Sequence, residues 1–274
     1  MPELLLFSNS TNHGRGYLDH AWEEVEAFLD GRNAVAFVPF AGGDHAAYTA
    51  RVAEAFAARG IRVTGVAADA GAARVLDEAQ AVFVGGGNTF RLVATLQRTG
   101  LMDDLRDRVL AGLPYMGASA GTNITAPTLR TTNDMPIVEP PSFAALGFVP
   151  FQINPHYLDA DPRSTHQGET RETRLTEFLE ANDVDVLGLR EGTHLRVRGA
   201  GSDVVRATVG GTAAQPDAPG PAIVFRRGTA PFEVSGEVRP SPPRARPPPS
   251  FSAPLVIAPQ TAVPRAAPPA PSRA

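Results

Sequence analysis

The sequence predicts an α/β protein built on an open, mostly parallel sheet with helices on both faces. Three observations carry this. Short, uniformly apolar runs recur along residues 4–118, as expected of strands covered on both sides. Segments with apolar residues at helical spacing separate them. The segments that follow the runs are rich in Gly, Ser, Asn and Thr, which gathers polar groups at the carboxyl ends of the strands, where such sheets bind ligands.

Taken in order, Leu4-Leu5-Leu6-Phe7 is the first run, and Ser8-Asn9-Ser10-Thr11-Asn12 follows as a polar loop. With no basic residues ahead of it and so few apolar ones, this start reads as a strand and not as a leader peptide. Residues 17–29 space Leu18, Trp22, Val25 and Leu29 as a helix does. Residues 34–38 form a second strand closed by Pro39, and 46–58 an Ala-rich helix stopped by Gly60. A strand at 61–66, a short helix at 72–79 and a strand at 81–84 come next. Gly85-Gly86-Gly87-Asn88-Thr89 follows directly, then helices at 90–97 and 102–110. Beyond residue 125 the pattern loosens. Residues 126–146, rich in Pro, Thr and Asn, predict long loops. A short strand at 151–154 leads to Pro155-His156, a helix covers 171–179, and a strand at 184–189 carries Arg190-Glu191-Gly192 at its end. Short segments at 195–197, 207–209, 222–225 and 232–234 predict a small antiparallel edge.

Composition sets the outer limits. The 274 residues are 43% hydrophobic, enough for one sizeable core, and no run reaches the roughly 20 apolar residues of a membrane helix. Residues 240–274 hold 12 of the 26 prolines, a density incompatible with helix or sheet. The expected division is therefore a folded domain over 1–238 and a proline-rich disordered tail over 239–274. Net charge is −4, and the four arginines of 240–274 leave −8 on the body before it. An acidic body argues against nucleic acid as a partner, and no membrane partner is expected. With no cysteine there is neither a disulfide framework nor a thiolate site, and a cytoplasmic location is the default expectation.

Chemistry centres on Gly117-Ala118-Ser119-Ala120-Gly121. This is the G-x-S-x-G pattern of a nucleophile elbow, a tight strand-to-helix turn that presents a serine hydroxyl. Such a serine needs a base, an orienting acid and an oxyanion hole. Of the six histidines, His156 stands apart because it follows an apolar strand at the crevice edge. His13, His20 and His45 read as surface residues, His166 as a loop residue and His194 as the start of an edge strand. For the acid there are two candidates. Asp134 gives the chain order Ser, Asp, His, while Glu191 ends a later strand. The N–H groups of Ala120 and Gly87 are the expected oxyanion donors. Gly85-Gly86-Gly87-Asn88 is neither a dinucleotide fingerprint nor a Walker loop.

These pieces resemble the peptidase E family of α-aspartyl dipeptidases. The matching stretches are Leu4 to Thr11, Val84 to Phe90, Gly117 to Gly121, Arg130 to Val138, Gln152 to His156 and Gly168 to Arg171. They fall in the family's order between about residues 3 and 236. The resemblance implies a fold like that of class I glutamine amidotransferases, with serine in place of cysteine. It implies hydrolysis of small Asp-X dipeptides without metal or other cofactor. By match of position, Ser119 is the nucleophile and His156 the base, with Asp134 preferred over Glu191 as the third member. Asp134 has a second role open to it, as partner of the substrate's free amino group. Asn88, Arg130, Thr131 and Arg171 match positions expected near the aspartyl side chain, where an Arg suits a carboxylate. The segment around 211–221 is longer than the family pattern, and the tail has no counterpart there. Two other readings stand beside this one: a cyanophycinase-like peptidase acting on β-Asp-Arg linkages, and a non-catalytic binding protein on the same scaffold.

Overall fold

In a computed structural model, which describes residues 1–161, 165, 168–200, 204 and 206–238, the first apolar run forms strand β1 (Glu3–Phe7). Its side chains alternate between two cores. Leu4 and Leu6 join one and Leu5 and Phe7 the other, all fully buried. The same alternation recurs in β2 (Ala34–Val38) and β4 (Ala81–Val84), so the sheet they share is apolar on both faces.

That main sheet has eight strands. Five run parallel, in the order β1, β5 (Tyr115–Ala118), β4, β2 and β3 (Arg62–Gly65). On the other side of β1 lie β8 (Thr193–Arg198), β9 (Arg206–Gly211) and β12 (Gly236–Val238), all antiparallel. Helices α1 (Trp22–Leu29) and α2 (His45–Ala57) cover one face with Trp22, Phe28 and Phe56. The other face carries α4 (Thr89–Arg98) and α5 (Leu101–Leu110), with α3 (Ala72–Asp77) contributing Leu76. Only one turn of helix, α6 (Ala120–Asn123), follows β5.

The expected α/β class holds, with one correction to its layout. Residues expected to extend a single sheet instead form a second, four-stranded one. Its order is β11 (Phe232–Val234), β10 (Ala222–Phe225), β7 (Val186–Arg190) and β6 (Gln152–Tyr157). Here β6 and β7 are parallel and the other pairs antiparallel. The expected antiparallel edge is thereby divided: 195–197 and 207–209 pair beside β1, whereas 222–225 and 232–234 pair beside β7. Ile153, Leu187, Leu189, Ala222 and Val224 of the second sheet share a core with Leu4, Leu6 and Val84 of the first. Helix α7 (Arg171–Ala181) covers its far face through Leu175 and Leu179. The long loops expected over 126–146 are present, held by a β-bridge between Thr128 and Ala144 and by side-chain hydrogen bonds from Asn88, Gln97 and Arg98.

Two histidines depart from expectation. His194 lies within β8, between β1 and β9, packed edge-on against Phe7. Both ring nitrogens of His20 are buried with no hydrogen-bond partner among the described residues, and burial, with the nearby His194, lowers its pKa. The tail expected over 239–274 and His166 lie outside the described residues.

Candidate active site

The parallel strands end at one edge, and that edge carries the site. Ser119 joins β5 to α6 with φ 53° and ψ −108°, a conformation that non-glycine residues rarely adopt. The flanking glycines have a steric cause. A Cβ on Gly121 would stand 2.1 Å from the Val84 carbonyl oxygen, and one on Gly117 would stand 2.6 Å from that of Gly121. Three backbones therefore meet where only hydrogen fits. Hydrogen bonds fix the turn: Ser119 N donates to Phe7 O at 3.1 Å, and Tyr115 Oη to Gly121 O at 2.6 Å. Thr122 Oγ1 donates to Phe7 O at 2.6 Å.

His156 arrives from the second sheet. The register of β6 against β7 shifts between Asn154 and Tyr157, and His156 takes φ 54°. Its N–H donates to Ser8 Oγ at 2.9 Å, and Ser8 Oγ donates in turn to Leu189 O. Asn154 Nδ2 donates to Thr131 O and Asn133 Oδ1, while Asn133 Nδ2 donates to Pro155 O, so the 131–134 loop clasps the irregular strand. In this pose His156 Nε2 lies 2.8 Å from Ser119 Oγ, and Nδ1 lies 2.6 Å from Glu191 Oε1. Hydrogen bonding to His156 holds the Glu191 carboxyl below its ordinary value, against the opposing effect of burial.

The preference for Asp134 as the histidine's partner is thus corrected at the level of contact. Asp134 Oδ2 accepts from Thr89 N (2.7 Å), Thr89 Oγ1 (2.6 Å) and Thr132 Oγ1 (3.0 Å). It faces α4, on a loop whose Thr132 ties back to Thr89. Its Oδ1 has no donor among the described residues, and Asp134 lines the cleft beside Ser119. Chain order favoured it because order carries no distance.

The glycine loop divides its amides. Gly85 N donates to Val38 O, Gly86 N to Tyr48 Oη at 2.9 Å, and Asn88 N to Ala41 O. The Gly87 N–H is the one in this run without an acceptor among the described residues. Gly87 has φ 130°, and a Cβ there would meet Ala41 O at 2.6 Å, so both backbone conformation and space demand glycine. Ala120 opens α6, where an N–H has no intrahelical acceptor.

The cleft has a volume of about 690 Å³ and is lined by Ser119, His156, Asp134, Gly86, Gly87, Tyr48 and Arg51 among others. The expected aspartyl-binding residues stand around it and not in its lining. Asn88 caps α4 through Arg91 N and donates to Met135 O. Thr131 is buried, with its hydroxyl donating to Ile153 O at 2.8 Å. Arg130 is exposed, with its guanidinium over the Phe143 ring. Arg171 opens α7 and lines a neighbouring cavity of about 860 Å³ with Arg174, Asp159 and Glu169. Burial lowers its pKa, as does Arg174, while Asp134 acts in the other direction. It forms no ion pair among the described residues. Arg190, immediately before Glu191, is fully buried with paired contacts to both Asp159 and Glu233. Ser8, Asn9, Tyr48 and Arg51 drew no functional reading from sequence. Ser8 and Asn9 sit in the polar stretch after β1, which was the available signal. Asn9 Oδ1 accepts from Gly192 N and so ties that stretch to the Glu191 turn.

A serine on a strained turn, hydrogen-bonded to an imidazole that a carboxylate orients, has the layout of an activated serine nucleophile. The comparisons agree with that class. The sequence matches the model of peptidase family S51 over residues 4–205. It is 62% identical over 232 residues to peptidase E of Streptomyces coelicolor, covering 85% of this chain and 90% of the relative. It is 51% identical over 199 residues to a probable alpha-aspartyl dipeptidase of Drosophila melanogaster, covering 72% and 83%. In fold, it is similar to the crystal structure of a peptidase from an acI-B1 actinobacterium, with TM-score 0.59 at 17% identity over 86% of this chain and 94% of that one. The chain belongs to peptidase family S51.

Proposed function

We infer that this protein is a serine dipeptidase that removes aspartate from the amino end of Asp-X dipeptides. The observation that carries the reading is the continuous contact from Ser119 Oγ through His156 to Glu191, at 2.8 and 2.6 Å. Support for the substrate comes from the relatives, one of which bears the name probable alpha-aspartyl dipeptidase.

In the proposed reaction His156 Nε2 takes the hydroxyl proton as Ser119 Oγ attacks the aspartyl carbonyl carbon. Glu191 holds the other ring nitrogen and stabilises the imidazolium. The Gly87 and Ala120 N–H groups receive the oxyanion. Protonated His156 then gives its proton to the departing amine as the C–N bond breaks, leaving aspartyl-Ser119. Water, deprotonated by His156, attacks that ester; the imidazolium returns the proton to Ser119 Oγ as the ester C–O bond breaks, and aspartate is freed. We assign Asp134 Oδ1 to the substrate's ammonium group, and Arg171 together with Arg130 to the side-chain carboxylate. Asn88 and Thr131 serve by shaping the loop that carries Asp134. No step calls for a metal.

The test is a panel of Asp-X, Glu-X, Asn-X and β-Asp-X dipeptides assayed with and without chelator. Turnover confined to Asp-X and indifferent to chelator is expected, with Ser119→Ala lowering kcat by about 10⁴-fold or more. Preference for β-Asp-X would replace this reading with the cyanophycinase-like one.

A further inference from the structure

The cleft beside Ser119 is lined by an arginine that the proposed chemistry leaves unused. Arg51 of α2 lines it together with Ser119, His156 and Asp134. Among the described residues no carboxylate pairs with Arg51, whereas Arg59, Arg108 and Arg190 each hold an acid. Its position is set by stacking. The guanidinium carbon lies 4.8 Å from the centroid of Tyr48, three residues earlier on the same helix face, and 6.0 Å from that of Tyr17.

Tyr48 connects this cation to the nucleophile. Its hydroxyl accepts the Gly86 N–H at 2.9 Å, and a Cβ on Gly86 would lie 3.0 Å from Ser119 Cβ. One rigid ring therefore supports the glycine loop at its tip and the guanidinium on its face. The N-terminal end of α2 also borders the cleft, through Ala47 of its first turn, the cap residue Asp44 and the preceding Gly42 and Gly43, and adds the positive end of a helix dipole. The Asp44 carboxylate is occupied as the cap of that helix, with Oδ1 accepting from Ala47 N at 2.9 Å.

An Asp-X dipeptide carries a side-chain and a C-terminal carboxylate, and the proposed function gives a partner to only the first. The second lies one residue beyond the scissile bond, a span of about 3.5 Å. In a longer peptide, or in a peptide amide, a neutral group takes that place. We propose that Arg51 receives the substrate's C-terminal carboxylate, so that the cleft selects dipeptides by their charged end. This rests on the Asp-X reading above and adds recognition of the leaving residue to it.

The test compares Asp-Leu with its C-terminal amide, and with Asn-Leu, on full-length wild type, Arg51→Ala and Arg51→Lys. Arg51 is exposed, so unchanged melting of both variants is expected. Wild type should favour the free acid over the amide by about 10- to 100-fold in kcat/KM, the scale of one charge-assisted hydrogen-bonded pair. In R51A that preference should fall to within about threefold, through a raised KM for the acid, and R51K should keep an intermediate share. Wild type cleaving acid and amide equally, or R51A keeping the full preference, overturns the assignment. So does loss of discrimination between Asp-Leu and Asn-Leu in R51A with acid-over-amide preference intact, which would place Arg51 on the aspartyl side chain. A wild type that cleaves none of the three, yet is labelled at Ser119 by a sulfonyl fluoride, overturns the Asp-X reading and this assignment with it.

Discussion

At position 119 the backbone holds a serine where φ is 53°, and the residues around it exist to keep it there. Such a conformation costs about 1–3 kcal/mol and persists only when its neighbours overdetermine it. Gly121 is one of those neighbours. Gly121→Ala would drive a methyl into the Val84 carbonyl and should destabilise the fold by ~3 kcal/mol, read as a lowered denaturant midpoint at constant m-value. The two acids separate at the same scale. Glu191→Gln should lower kcat by about 10²- to 10³-fold with little change in KM, because it removes the partner of a charge that forms only during reaction. Asp134→Asn should mainly raise KM for Asp-X if its free oxygen meets the substrate's ammonium. Glu191 also has a signature in stability. Its folded pKa lies below the ordinary carboxylate value, so its contact with His156 contributes above that ordinary range and is lost as pH falls through the folded value. Both groups are partly exposed, so the effect is small. The melting difference between wild type and Glu191→Gln should therefore shrink from about pH 6 to about pH 3.

At the scale of elements, what the sequence made legible follows from which faces are buried. The runs at Leu4–Phe7 and Ala81–Val84 are covered on both sides, and strands of that kind announce themselves without periodicity. Val186–Arg190 is buried just as fully, yet belongs to a different sheet. Apolar content shows that a strand is covered and not which strand lies beside it. Ser119 and His156 were legible because a tight turn and a strand end restrict which residues fit. Tyr48 and Arg51 were not, since they face the cleft from an Ala-rich helix with no motif to mark them. Arg190 shows the same limit. Its position at the end of β7 was evident, but its partners are 31 and 43 residues away in sequence. Removing it leaves two carboxylates, Asp159 and Glu233, without their shared cation. Arg190→Ala should cost ~3 kcal/mol, and Glu233→Gln far less because that carboxylate is partly exposed. Equilibrium unfolding of the two variants checks the ranking.

For the whole molecule, every described strand and helix ends by Val238. We propose that residues 1–238 suffice for the activity, so a chain stopped there should keep its kcat/KM for Asp-X within about twofold. Loss of activity in that truncation would give residues 239–274 a part in the fold or the site.

The serine follows β5 of the eight-stranded sheet and the imidazole lies on β6 of the four-stranded one, while Glu191 sits in the short turn from β7 to β8 that links them. Among the described residues no strand pairing joins the two sheets; they share a core. Turnover is consequently a gauge of how well two stacked layers stay in alignment. On gentle heating, peptide cleavage should fail while circular dichroism still records intact strands and helices.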